Sequence, residues 1–277
     1  MRLRIFSDLH TDAPGPHGEI DTTDCDVIAI CGDVSERLST RVLGWLQEHV
    51  APAGVPVLYV PGNHDYYHAK FPRELDDARP RFEQAGIHLL AQGESVVVDD
   101  VLFVGATLWT DYAIAGDTHA AMVSAASKNG GMNDHRLIRD AADPGRPFLP
   151  HHALQEHKRA LDNIRAALGA REPGQASVLL THHGVSSRSL QHGEVTTISD
   201  ACYASDLEDL ICAYAPDLVV HGHVHVSVGF EIGPTRVISN PAGYRRKLHN
   251  GWELENPRYN PGFTVEIGPR PAPAFGR

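Results

Sequence analysis

Five short, largely apolar runs recur along this chain, and each ends at residues able to bind a cation or carry a proton. Residues 3–6 lead into Ser7-Asp8-Leu9-His10, residues 27–31 into Gly32-Asp33, and residues 55–60 into Pro61-Gly62-Asn63-His64-Asp65. Residues 178–180 lead into Thr181-His182-His183-Gly184, and residues 218–220 into His221-Gly222-His223-Val224-His225. Short, near-continuous apolar runs are characteristic of strands buried on both faces. Ligands of an open α/β sheet collect beyond the carboxyl ends of its strands, so these five ends are expected to converge. Within Asp8-x-His10 and His223-x-His225 the two-residue spacing sends both side chains the same way if the strand continues. A lone strand-end Asp usually caps a helix and a lone His makes ordinary hydrogen bonds; five such ends in one chain call for a shared purpose.

Amphipathic helices separate several of these strands. One spans about 38–50, with Leu38, Val42, Trp45, Leu46 and Val50 on one face, and a second covers about 68–86. A third, about 151–168, carries Leu154, Leu161, Ile164 and Leu168; a fourth opens with a capping box from Ser205 to Glu208. Further strands, alternating or antiparallel-looking, are expected at 95–98, 102–106, 226–230, 236–239 and 263–267, which suggests two sheets between helical layers. Residues 111–150 are rich in Gly, Asp, Asn and His, end in a Pro/Gly breaker cluster, and read as an insertion over one end of the sheet. Residues 1–268 are thus expected to form a single domain, followed by a loose Pro-rich tail at 269–277.

The balance of 24 Lys and Arg against 35 Asp and Glu gives a net charge of −11, which disfavours extended nucleic acid as a partner. No apolar run is long enough to span a bilayer, and the N-terminus reads directly as a strand rather than a signal peptide. Cys25, Cys31, Cys202 and Cys212 form no CxxC pair and read as reduced, buried thiols, consistent with a cytoplasmic protein. The chain lacks a G-x-x-x-x-G-K-[ST] loop, a G-x-S-x-G elbow and an H-E-x-x-H pair.

The series Asp8-Leu9-His10, Gly32-Asp33-Val34, Gly62-Asn63-His64-Asp65, Thr181-His182-His183 and Gly222-His223-Val224-His225 resembles the five-block signature of calcineurin-like metallophosphoesterases. All five blocks are complete and stand in the family's order. The resemblance implies a four-layer α/β/β/α sandwich with a dinuclear metal site at the carboxyl ends of the strands. It implies one metal held by Asp8, His10, Asp33 and His225, and a second held by Asn63, His182 and His223, with Asp33 bridging. For the fourth block His182 is preferred to His183 because it directly follows the strand. Imidazoles mixed with oxygen ligands suit Mn, Fe, Zn or Co. By the same resemblance a hydroxide between the metals hydrolyses a phosphomonoester or phosphodiester, His64 assists at the leaving oxygen, and Asp65 orients His64.

The expected partner is a small phosphoester, with no membrane; the residues leave the oligomeric state open. The rival readings are a non-catalytic scaffold of the same fold, which would have lost ligands, and a nuclease, which would want a basic groove. Other polar features carry weaker expectations. Asp117-Thr118-His119 reads as loop, His221 as strand-buried or as a support behind a ligand, and Asn133-Asp134-His135-Arg136 with Arg139 as a solvated polar loop in preference to a contact with substrate phosphate. Tyr66, Tyr67, Tyr244 and Arg245 are candidates to line the pocket.

Overall fold

A computed structural model describes residues 1–16 and 18–268; the expected tail at 269–277 lies outside them. Two sheets carry the architecture. The first runs Thr264–Glu266, Arg2–Phe6, Val27–Ile30, Val57–Tyr59, Ile87–Leu89, parallel except for the antiparallel edge strand Thr264–Glu266. The second runs Gly229–Ile232, Thr235–Ser239, Leu218–His221, Ser177–Thr181, Val101–Ala106, Gln92–Val98. Its four inner strands are parallel and both edges antiparallel.

Alternate residues of these strands enter different cores, as the two-residue period of a strand requires. Val27, Ala29, Leu58, Val178, Leu180 and Val220 meet in one core fed by both sheets. Ile28, Ile30, Val57 and Tyr59 instead join Leu46, Leu75, Ala78 and Phe82 from the helices Leu43–His49 and Arg73–Gln84. Leu179, Val219 and Val237 join Ala160, Ile164, Leu168 and Ile211 from the helices Pro150–Gly169 and Glu208–Tyr214. Each sheet thus gives some of its side chains to a core shared with the other sheet and others to a core shared with helices. Among the described residues no helix is long and apolar enough to cross a membrane.

Several local expectations change. The helix expected from residue 68 begins at Arg73, because Lys70–Phe71 pairs with Arg139–Asp140 as a short parallel ladder. Ser205 and Glu208 form no capping box. The Ser205 hydroxyl accepts from Asp111 N at 3.1 Å, Glu208 takes Ser186 and Arg188, and Asp206 accepts from Glu208 N. The strand expected at 226–230 starts at Gly229, since the Ser239 hydroxyl occupies Val226 O and Val228 N, where a ladder would run. Ile87–Leu89 was too short to show a pattern. Cys25, Cys31 and Cys202 are buried free thiols, whereas Cys212 is exposed beside the inward-facing Leu210 and Ile211.

The 111–150 segment is more than a surface insertion. It contains the helices Thr118–Ala125 and Asp134–Leu137, and it sends Ala121, Ala125, Ile138 and Phe148 into the first core. Phe148 packs against Phe71 and Trp109 with ring centroids 5.2 and 4.9 Å apart. Asp117 lies in no loose loop, because its carboxylate caps the first of these helices at Ala120 N.

Gly105, on an inner strand of the second sheet, tests the fit between the sheets. A Cβ there would meet Leu90 Cβ at 2.6 Å and Val60 Cγ2 at 2.8 Å. Gly105→Ala is therefore expected to lower unfolding free energy by about 1–3 kcal/mol, read as a shifted urea midpoint with an unchanged slope.

Candidate metal centre

The five strand ends do converge, though not by continued extension. Asp8 and His10 have φ of 56° and 43°, Asp33 has 56°, and His223 and His225 have 68° and 52°. The strands stop at Phe6 and His221, and left-handed turns then swing the side chains inward. The expectation that strand alternation aims both residues of each pair is thus corrected. Non-glycine residues in this region cost roughly 1–3 kcal/mol each and persist where surrounding structure over-determines them. Glycines make room alongside: a Cβ on Gly62 would lie 1.9 Å from Asp33 Oδ1, and one on Gly222 would lie 2.6 Å from Asp8 Oδ2.

Two clusters of donor atoms result. In the first, His225 Nε2 is 3.1 Å from His10 Nε2 and 3.4 Å from Asp8 Oδ1. In the second, His182 Nε2 is 2.9 Å from Asn63 Oδ1 and 3.2 Å from His223 Nδ1. Asp33 Oδ2 lies between them, 4.0 Å from His10 Nε2 and 3.4 Å from His182 Nε2. His183 stays outside: its Nδ1 faces Thr107 O at 3.0 Å while its ring packs on that of His223. His221 is buried at the strand end and also stays outside.

Donors around an ion at ~2.1 Å stand about 3.0–3.4 Å apart in octahedral or tetrahedral geometry. Most separations within the two clusters are of that size. The donors are imidazole, carboxylate and amide, with no thiolate, so the set fits a borderline divalent metal. Among the described residues, Asp8 with His10 and His225, and Asp33 with His182 and His223, form groups able to hold an ion.

The same closeness sets the electrostatics. Burial opposes charge on His182, yet Asp33 outweighs it and lifts the imidazole to about 9. Burial opposes charge on His225 too, but hydrogen bonds to Asp8 and Glu255 raise it to about 10. Burial resists ionisation of Asp33, but His182 and His10 hold it well below the usual carboxylate range. Burial drives His10 and His223 well below the ordinary imidazole value, and His183 down to about 3. The central carboxylates thus draw cations in.

Asp65 does not orient His64. Its carboxylate accepts from the backbone N–H groups of Asp33, Val34, Ser35 and Gly62 and from the Tyr59 hydroxyl, at 2.6–3.3 Å. It is fully buried, and burial together with the Asp33 charge pushes it up to about 7. Asp12 is the partner of His64, with Oδ2 3.0 Å from Nε2. Burial opposes charge on His64, but this bond and the Asp33 charge raise its pKa overall.

Sequence reasoning missed three further groups. Asp12 extends the Asp8-x-His10 spacing by one step, a signal that was present and unused. Asp134 was assigned to a solvated loop, yet it is buried; its Oδ1 accepts from Asn63 Nδ2 at 2.7 Å and from the Tyr67 hydroxyl at 2.8 Å. That bond turns Asn63 Oδ1 toward His182. Glu255, near the end of the chain, holds His225 Nδ1 at 2.7 Å, and no local pattern announced it. Tyr244 stacks on His10 at 4.1 Å between centroids. Tyr67 and Tyr244 line a cavity of about 600 Å³ over the clusters, whereas Tyr66 is buried in the core and Arg245 binds Pro16 O and Gly243 O.

A family model described as calcineurin-like phosphoesterase matches residues 1–227. An uncharacterized protein of Acanthamoeba polyphaga mimivirus is 24% identical over 292 residues, covering 96% of each chain. Among solved structures, phosphopantetheinyl hydrolase from Mycobacterium tuberculosis aligns with a TM-score of 0.65 at 19% identity, over 94% of this chain and 98% of its own. A likeness at that identity speaks for a shared fold.

Asp65 offers a test of the scaffold under the clusters. Asp65→Ala leaves four backbone donors and a tyrosine hydroxyl buried without their acceptor. Unfolding free energy in urea is expected to drop by at least ~3 kcal/mol.

Proposed function

This chain belongs to the calcineurin-like phosphoesterase family, and from that premise we propose that it hydrolyses a small phosphomonoester or phosphodiester with two divalent metal ions. The observation that carries this reading is the position of Asp33 Oδ2 between two separate donor clusters. Asp8, His10, Asp33 and His225 would hold one ion, and Asp33, Asn63, His182 and His223 the other. Such ions, when bound, supply Lewis acidity toward the phosphoryl oxygens and lower the pKa of an attacking water.

The remaining residues supply positioning and a proton. Asp33 Oδ1 accepts from His64 N at 2.9 Å, which leaves Oδ2 to face both clusters. Asp134 fixes the Asn63 amide and Glu255 fixes the His225 ring, as carboxylates behind metal ligands do. Asp12 takes Nε2 of His64 and favours its protonated form. The cationic imidazole then holds a proton on Nδ1 for the departing alkoxide. Tyr67 and Tyr244 pack on the His64 and His10 rings and limit their rotation. The cavity volume of about 600 Å³ suits a small-molecule ester.

Elemental analysis is expected to approach two metal ions per chain, and Asp33→Ala to lose more metal than any other single change. Asp134→Ala is expected to lower occupancy of one ion selectively, toward one per chain, since Asn63 is the one proposed ligand that Asp134 holds. Full activity after exhaustive chelation would overturn the reading.

His64→Asn removes the proton donor while leaving every proposed ligand in place. Hydrolysis of alkyl esters is expected to fall ~10²–10⁴-fold more than that of nitrophenyl esters, whose leaving group needs little protonation. Equal losses on both esters would assign His64 to charge stabilisation instead.

A further inference from the structure

The wall of the cavity beyond the metal centre is shared by the 111–150 segment and the stretch 190–203, and one side chain from the former, Arg136, stands apart. Among the described residues lining the cavity, Arg136 is the sole guanidinium or ammonium. The chain carries 35 acidic against 24 basic side chains, so a carboxylate partner for any arginine is easily found. Among the described residues, Arg136 nevertheless takes only neutral acceptors, the Asn133 amide oxygen and, at 3.5 Å, Lys128 O. The cavity acids other than Asp33 are engaged elsewhere. Asp200 accepts from Thr196 and Thr197, and Glu255 binds His225.

The helix that carries Arg136 has a fixed bearing. Asp134–Leu137 is anchored by the Asp134 carboxylate on Asn63 and Tyr67, so the side of the helix bearing Asp134 faces the donor clusters. Residues two apart on a helix lie about 200° around its axis. Arg136 therefore leaves the helix on a different side from Asp134; it is exposed and lines the cavity. It borders the same cavity as Asp33 and Asn63 without contacting either, which leaves it to the part of a ligand beyond the phosphoryl group.

We infer that the substrate carries a second oxyanion, a carboxylate or a phosphate, on the portion remote from the scissile phosphoester, and that Arg136 receives it. This rests on the phosphoesterase reading for which end of the ligand the metal centre takes. A guanidinium offers paired N–H donors that match either oxyanion. Arg136 is accordingly a specificity-determining residue. The same short helix would support the metal centre through Asp134 and select the substrate through Arg136.

Phosphonates separate this inference from turnover, because their P–C bond is not hydrolysed. Calorimetric dissociation constants are measured on the manganese-loaded full chain for plain alkylphosphonates and for chains of equal length ending in a carboxylate or a second phosphonate. At one matching chain length the terminal anion is expected to tighten binding roughly 10- to 100-fold. That gain should vanish in Arg136→Gln and survive in part in Arg136→Lys. The carboxylate and phosphonate arms identify which oxyanion is preferred. Each ratio comes from one protein preparation, so partial loss of folded protein cancels. No gain at any length, or a gain that persists in Arg136→Gln, overturns the inference. Failure to hydrolyse any ester would instead count against the phosphoesterase reading, and leaves the Arg136 ratio to stand or fall by itself.

Discussion

The carboxylate of Asp65 lies beneath the loops that follow two neighbouring strands and takes donors from both. Four backbone N–H groups and the Tyr59 hydroxyl converge on it. Buried backbone donors must find acceptors, and the sharp turns at Gly32-Asp33 and Pro61-Gly62 leave these without ladder partners. A single buried carboxyl group therefore satisfies two loops at once and fixes their relative position. Everything at the centre is referred to that point: Asp33 is held by its own backbone, His64 N locks one of its oxygens, and Asn63 and His64 rise from the adjoining turn.

Left-handed backbone is the second constraint. Asp8, His10, Asp33, His223 and His225 all adopt it, although none is glycine. Asp8 shows how such strain is held: its carboxylate accepts from His223 N, so one strand-end residue ties down another. Gly222 lets these backbones approach, with Asp8 Oδ2 and Cys31 O too close for any side chain there. All the donor-cluster residues except Asn63 and His182 sit in these strained turns, which is where a fold concentrates pre-organisation.

The 111–150 segment joins core to site. Ala121, Ala125, Ile138 and Phe148 anchor it in the hydrophobic interior, and the short Lys70–Phe71 and Arg139–Asp140 ladder ties it to the chain that follows His64. From that footing Asp134 reaches Asn63, and Met132, Asn133 and Arg136 form cavity wall. A segment that packs at one end and meets the centre at the other transmits position rigidly, since close-packed interiors yield little.

The strand ends, the donor types and their order along the chain were legible in the sequence alone, because each is a local matter. An apolar run, a breaker and a ligand residue occupy a handful of consecutive positions, and the two-residue period sorts strand faces without knowledge of the partners. Most helices followed from the same periodicities, whereas Val101–Ala106 and Thr235–Ser239, which look antiparallel in the sequence, are inner strands that each pair parallel with one neighbour. Tertiary structure alone decided that Asp65 serves the Asp33 loop, that Asp12 holds His64, and that Asp134 and Glu255 stand behind Asn63 and His225. Asp134 and Glu255 lie 71 and 30 residues from the groups they hold. A hydrogen bond between such distant residues leaves no periodic trace in either segment, so only the folded chain could bring them together.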